Sequence, residues 1–287
     1  MAISFFVSDL HGSIERYEKL FQKIEEEIPS AVFFGGDLLP SGLFMATNRS
    51  NVSIDFIDNV LKRGIVMLKE KLKNNYPRIF IILGNDDSKI HEEELISGQS
   101  KKLWEYIHGR KVTFGDFDVY GYSNIPPTPF LMKDWEKYDI SRYVDPGCVS
   151  PEEGFRSVEV RKGEIRYSTI KADIELLVDG ANVSKAIFLF HTPPYKSKLD
   201  HAALDGKTFD HIPLDVHIGS IAVQRFIKEA QPLITLHGHV HESARLSGTW
   251  KETFGNTHAF SAAHDGPELA LVRFDPEFPE KATRELI

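Results

Sequence analysis

Apolar residues in this chain fall into short unbroken runs that end in polar clusters, with stretches of helical spacing between them. Ile3 to Ser8, Ala31 to Phe34, Ile79 to Leu83, Ala186 to Phe190 and Pro232 to Thr235 read as strands covered on both faces, since none alternates polar with apolar. After the first run, Ser13 predicts the cap of a helix whose apolar residues Ile14, Tyr17, Leu20, Phe21, Ile24 and Ile28 fall at helical spacing, closed by Pro29. Ser53 begins a second periodic stretch through Ile54, Ile57, Leu61, Ile65, Leu68 and Leu72, and Ser220 begins a third through Val223, Phe226, Ile227 and Ala230. Helix is also expected from about Ser100 to Ile107, and a hairpin from Val112 to Tyr122 turning near Gly115 and Asp116. Ala244 to Leu246, Thr257 to Ser261 and Leu269 to Phe274 are expected as antiparallel strands forming the closing sheet of a sandwich.

Residues 123–173 carry no clear period. Their five prolines are mixed with Phe130, Trp135, Tyr138, Tyr143 and Phe155, and aromatics supply burial that disordered segments lack. An ordered excursion forming a lid or rim is expected there. No internal repeat or Pro/Gly/Ser-rich linker divides the 287 residues, so one domain spanning 1–287 is the expectation.

Composition narrows the partners. With 34 Lys and Arg against 42 Asp and Glu, the formal charge of -8 disfavours long nucleic acid, whose binders usually present a basic face. The single cysteine, Cys148, forms no internal disulfide, and the first strand meets Asp9 and His11 too early for a secretory segment. A cytoplasmic location without membrane contact is therefore expected; no apolar run approaches the ~20 residues of a membrane helix.

Each of the five buried runs delivers a metal-binding side chain at its carboxyl end: Asp9 with His11, Asp37, Asn85, His191, and His239 with His241. In α/β sheets reacting groups collect at such ends. Mixed carboxylate, amide and imidazole donors suit Mn, Fe or Zn better than Ca or Mg, and the lack of a thiolate cluster argues against a structural zinc site.

In these motifs the chain resembles the calcineurin-like metallophosphoesterase superfamily. The matching residues are, in order, Asp9-Leu10-His11, Gly36-Asp37, Gly84-Asn85-Asp86-Asp87, His191 and Gly238-His239-Val240-His241. The resemblance implies that Asp9, His11 and His241 hold one metal ion, that Asn85, His191 and His239 hold a second, and that Asp37 bridges them. It also implies a four-layer α/β/β/α sandwich, with two central mixed β-sheets flanked by helices. Two cations sharing a carboxylate can bind a bridging hydroxide and neutralise charge in an in-line displacement at phosphorus. The expected activity is hydrolysis of a small soluble phosphodiester, with phosphomonoester hydrolysis and a non-catalytic metal-bound scaffold as the alternatives.

One position departs from the pattern. Asp86 stands where the superfamily usually has a histidine thought to orient substrate or protonate the leaving oxygen. A carboxylate beside two cations tends to stay ionised and is a poor general acid. Asp86 and His217 are the candidates for the catalytic positions, with His264 as a further proton source. Lys196 and Lys198 are candidates for holding a substrate phosphate.

Overall fold

The buried apolar runs pair into two sheets whose inner faces meet. The computed structural model describes residues 3–40 and 56–287. The Ser53 cap and the Ile54 turn expected for the second helix lie outside them.

The first sheet begins with β1 (Ser4–Val7), β2 (Ala31–Gly35), β3 (Arg78–Ile82) and the short β4 (Glu105–Tyr106), all parallel. Along β1 the pleat sends Phe6 inward toward the other sheet and Phe5 and Val7 outward toward helices; β2 does the same with Phe33 against Val32 and Phe34. The outer layer is α1 (Ile14–Glu27), capped by the Ser13 hydroxyl, and α2 (Arg63–Leu72), preceded by a π-helical turn at Ile57–Lys62. Tyr17, Leu20 and Ile24 of α1 and Ile65 and Leu68 of α2 cover that face.

Between β3 and β4 the expected helix at Ser100–Ile107 is displaced. Helix α3 occupies Glu92–Ser100 and ends where it was predicted to begin. Leu103, Trp104, Tyr106 and Ile107 mimic a helical face, but β4 pairs beside β3 and buries these residues as an edge, while the Trp104 indole donates to the Leu95 carbonyl at 2.7 Å.

The second sheet contains β5 (Arg110–Phe114) and β6 (Phe117–Tyr122), the expected hairpin, then β7 (Ala186–Phe190) parallel to β6. From 123 to 185 the chain leaves the sheet. Ile125 and Trp135 exchange a backbone bond, Phe155 pairs with Leu131 and Lys133, and two helices, α4 (Lys162–Tyr167) and α5 (Ile170–Val178), follow. After β7 come the small hairpin β8 (Thr208–Phe209) and β9 (Ile212–Pro213), α6 (Ile221–Ala230) with its Ser220 cap, and β10 (Ile234–His237) parallel to β7. α5 and α6 cover the outer face through Ile170, Ile174, Val223 and Ile227.

The C-terminal region does not form a closing sheet of its own. Ala244 to Leu246, expected as a strand, lie in the helical turn α7 (Ser243–Ser247). β11 (Lys251–Phe254) and β12 (Thr257–Ser261) extend the second sheet, β12 running parallel to β10, whereas β13 (Ala270–Phe274) and β14 (Thr283–Leu286) extend the first. The orders are β14-β13-β1-β2-β3-β4 and β11-β12-β10-β7-β6-β5, two mixed six-stranded sheets. Phe6, Phe33, Phe80, Leu189, Leu236, Phe260 and Phe274 fill the space between them. No helix among the described residues is long and apolar enough to cross a membrane.

The excursion after β6 is ordered around a buried ion pair. Lys133 is 0% exposed and its Nζ donates to Glu136 Oε2 at 2.5 Å and to the Thr128 carbonyl at 2.9 Å. Removing one member of such a pair strands a buried charge. Lys133→Met is expected to destabilise the protein by about 3–5 kcal/mol, and adding Glu136→Gln should recover most of that loss. Denaturant unfolding followed by tryptophan emission measures both.

Candidate metal centre

The parallel strands of both sheets bring their carboxyl ends to one edge. Backbone bonds lace those ends together: Asp9 N–H donates to Gly36 O at 2.9 Å, His11 N–H to Asp37 O at 2.8 Å, and Gly238 N–H to His191 O at 2.9 Å. The two sheets are joined by the site itself. His239 N–H donates to the Asp9 carboxylate at 3.0 Å, and His191 Nδ1 lies 2.8 Å from Gly35 O. A carbonyl only accepts, so His191 Nδ1 carries the proton and its Nε2 lone pair points the other way.

The turns that follow the strands are left-handed at Asp9 (φ 57°), His11 (45°), Asp37 (53°) and His239 (73°). Such backbone costs about 1–3 kcal/mol per non-glycine residue and persists only where its surroundings impose it. It swings successive side chains toward one point. Gly36 (φ 94°) makes room for this, because a Cβ there would stand 2.7 Å from His191 Nδ1, and a Cβ on Gly84 would collide with the Asp37 carboxylate.

Asp9, His11, Asp37 and His241 offer ligand atoms that all lie within 4.8 Å of one another. His11 Nε2 and His241 Nε2 face each other at 3.0 Å, and His241 Nε2 is 3.3 Å from Asp9 Oδ1. On the other side of Asp37, His191 Nε2 lies 3.0 Å from Asn85 Oδ1 and 3.3 Å from Asp37 Oδ2, with the His239 ring 5.4 Å from the His191 ring. Asp37 Oδ2 is also 3.9 Å from His11 Nε2, so one carboxylate faces both groups. Lone pairs that converge this closely fit cations: two groups of oxygen and imidazole donors with a shared carboxylate suit a pair of divalent transition metals.

The electrostatics agree. Burial pushes Asp9 up, but the His241 hydrogen bond and the nearby His241, His191 and His11 charges outweigh it and hold the carboxyl well below its usual range. Asp37, with burial likewise opposing, is brought to about 2, chiefly by His191. His11 and His191 rise to about 9: burial opposes both, and is overcome at His11 by the Asp86 bond and the charges of Asp37 and Asp9, and at His191 by Asp37 and Asp9. His239 is lowered to about 3 by burial and by His191. The Asp9 and Asp37 carboxylates thus favour positive charge on the groups that face them.

The neighbouring positions divide into distinct roles. Asp87 is fully buried and accepts from the backbone N–H groups of Leu38, Leu39 and Gly84, tying the Asp37 turn to the Gly84 turn. Asp86 donates its N–H to Asp37 Oδ1 at 2.7 Å and places Oδ2 3.2 Å from His11 Nδ1. His217 Nδ1 pairs with the buried Asp200 at 2.8 Å, near the rings of Tyr195 and His201. His264 pairs with Glu268 at 2.9 Å, the Lys196 ammonium lies over the Tyr195 ring, and Lys198 N–H bonds Glu252.

The roles of Arg16, Trp135 and Asp134 escaped the sequence reading. Arg16, on the first turn of α1, donates Nη1 to the Asp9 carbonyl at 2.6 Å and reaches the Gly266 and Pro267 carbonyls with its other nitrogens. Trp135 is fully buried and donates its indole N–H to the Asp87 carbonyl at 2.8 Å, while Asp134 accepts from Lys89 N–H. All three act through backbone carbonyls or amides brought close by the fold, which leave no motif.

No curated protein sequence matches the chain. Among solved structures it is similar to TT1561 of Thermus thermophilus, with 16% identity over 99% of this chain and 98% of that one and a TM-score of 0.56. It also matches a dimetal phosphatase from Danio rerio, 12% identical over 94% of this chain and 91% of that one, at a TM-score of 0.48. These likenesses concern the fold alone. The family model described as calcineurin-like phosphoesterase matches residues 5–243, a span that runs from β1 to just past His241. On that match, and with the strand-end cluster described above, the chain belongs to the calcineurin-like phosphoesterase family of metal-dependent phosphoric ester hydrolases.

Proposed function

We propose that this chain hydrolyses a phosphodiester bond in a small molecule, using two divalent ions of Mn, Fe or Zn. Asp9, His11 and His241 would hold one ion, Asn85, His191 and His239 the other, and Asp37 both. The observation that carries this reading is the placement of Asp37 Oδ2, 3.9 Å from His11 Nε2 and 3.3 Å from His191 Nε2. A bound pair of this kind supplies an activated water and neutralises charge gathering at phosphorus.

The chain's own residues set the terms of binding. Asp86 keeps a carboxylate at the mouth of the site, its side chain 28% exposed, in addition to the buried Asp9 and Asp37. Two-ion chemistry serves diesters and monoesters alike, and the diester is the first choice in this reading. The overall charge of -8 favours a small substrate over a nucleic-acid polymer. His217, held at Nδ1 by Asp200, presents its other nitrogen for proton transfer to the leaving oxygen. The loop bearing it is tied to the segment just after His191, where Ser220 N–H donates to Pro193 O at 2.9 Å. In the same reading 123–173 rims the site through Trp135 and Asp134, the whole chain works as one unit, and its single cysteine suits the cytoplasm.

Purified protein loaded with Mn is expected to cleave bis(p-nitrophenyl) phosphate faster than p-nitrophenyl phosphate, to lose activity to a chelator and to regain it with Mn. Hydrolysis of neither ester would overturn the reading. Asp37→Asn should lower kcat by at least ~100-fold while its circular dichroism stays native.

His217→Gln is expected to slow diesters with alkyl leaving groups by ~100-fold or more, within the usual range for general acids, and to leave the p-nitrophenyl ester nearly unaffected. Equal effects on both would remove His217 from proton transfer. Initial rates across a series of leaving-group acidity measure this.

A further inference from the structure

The function proposed above leaves Asp86 without a chemical task, and the geometry supplies one. His11 has two ring nitrogens in different surroundings. Nε2 faces His241 Nε2 at 3.0 Å and Asp37 Oδ2 at 3.9 Å, inside the cluster of donor atoms. Nδ1 faces outward and lies 3.2 Å from Asp86 Oδ2. An imidazole that ligates through Nε2 must carry its proton on Nδ1, and a carboxylate accepting from Nδ1–H fixes both the tautomer and the plane of the ring.

His11 needs such a hold. Its backbone is left-handed and its side chain is 27% exposed, whereas His191 is fully buried and has the Gly35 carbonyl at its own Nδ1. The backbone of Asp86 is itself anchored, since its N–H donates to Asp37 Oδ1 at 2.7 Å. Peptide and carboxylate of this one residue therefore touch the shared carboxylate and the outer nitrogen of His11.

We infer that Asp86 is a positioning residue that holds His11 in its ligating tautomer, rather than a source of protons. This rests on the reading of Asp9, His11, Asp37 and His241 as a metal site. Asp86 thus replaces a side chain that would meet substrate with one that supports a ligand, and the task of protonating the leaving oxygen falls elsewhere.

The test is zinc titration of the full chain, freed of metal and then read by competition with a chromophoric chelator, for the parent, Asp86→Ala and Asp86→Asn. The parent should bind two zinc ions. Asp86→Ala should lose about 10–100-fold in affinity at one of them, the usual effect of removing a hydrogen-bond partner behind a ligand. Asp86→Asn, whose carbonyl oxygen still accepts from Nδ1–H, should recover most of that loss. In the zinc-loaded parent, nitrogen NMR of labelled histidine should show His11 protonated at Nδ1 alone.

Unchanged affinity at both steps in a folded Asp86→Ala protein would overturn the inference and leave the metal reading standing. A parent that binds no zinc would overturn both. Should the alanine variant fail to fold, the nearly isosteric Asn variant decides: affinity as weak as a one-site protein, or His11 protonated at Nε2 in the parent, would refute positioning.

Discussion

Asp9 is gripped from both sheets, and the centre depends on that grip. Its peptide N–H bonds the turn after β2, its carbonyl receives the Arg16 guanidinium, and its carboxylate receives the N–H of His239 from the end of β10. The second tie, from His191 Nδ1 to Gly35 O, runs the same way, from the end of β7 in the second sheet to β2 in the first. The apolar side chains between the sheets specify contact but not register, and at this edge the two ties supply it. Hydrogen bonds to a buried carboxylate are directional and costly to leave unmade, so they fix the strand ends to within the tolerance that a shared ligand demands.

The same residues store strain. Left-handed backbone at Asp9, His11, Asp37 and His239 would relax in an isolated turn, since only the surrounding bonds oppose it. Much of the second layer is accordingly backbone: Asp87 holds three amides, Trp135 holds the carbonyl of Asp87, and Arg16 spans from the first turn to the loop before β13. These backbone ties hold the donor atoms at mutual distances of 3.0–3.9 Å.

What could be read in the sequence follows from the same physics. Strands buried on both faces lack polar positions, so β1, β2, β3, β7 and β10 stood out as apolar runs, and their polar ends marked the cluster. Where a strand lies at an edge or a helix is mostly polar, the signal fails. Helix α3 carries three glutamates and a glycine, while the apolar residues after it belong to β4 and its flanks. Ala244 to Leu246 is too short a run for period to separate strand from helix. The assignment of β11 and β12 to one sheet and β13 and β14 to the other is a matter of long-range pairing, and so are the roles of Arg16 and Trp135. Neither a spacing nor a composition encodes which distant carbonyl a side chain will meet.

Because the donors are shared between halves that are brought together only by tertiary docking, neither half can offer a complete set during synthesis. Asp9, His11, Asp37 and Asn85 emerge early, and His191, His239 and His241 only after the excursion and α5 have been made. A pair of ions held as proposed would therefore be captured late in maturation. An ion that binds only the docked arrangement also strengthens it by mass action, acting as a rivet across the seam between the sheets.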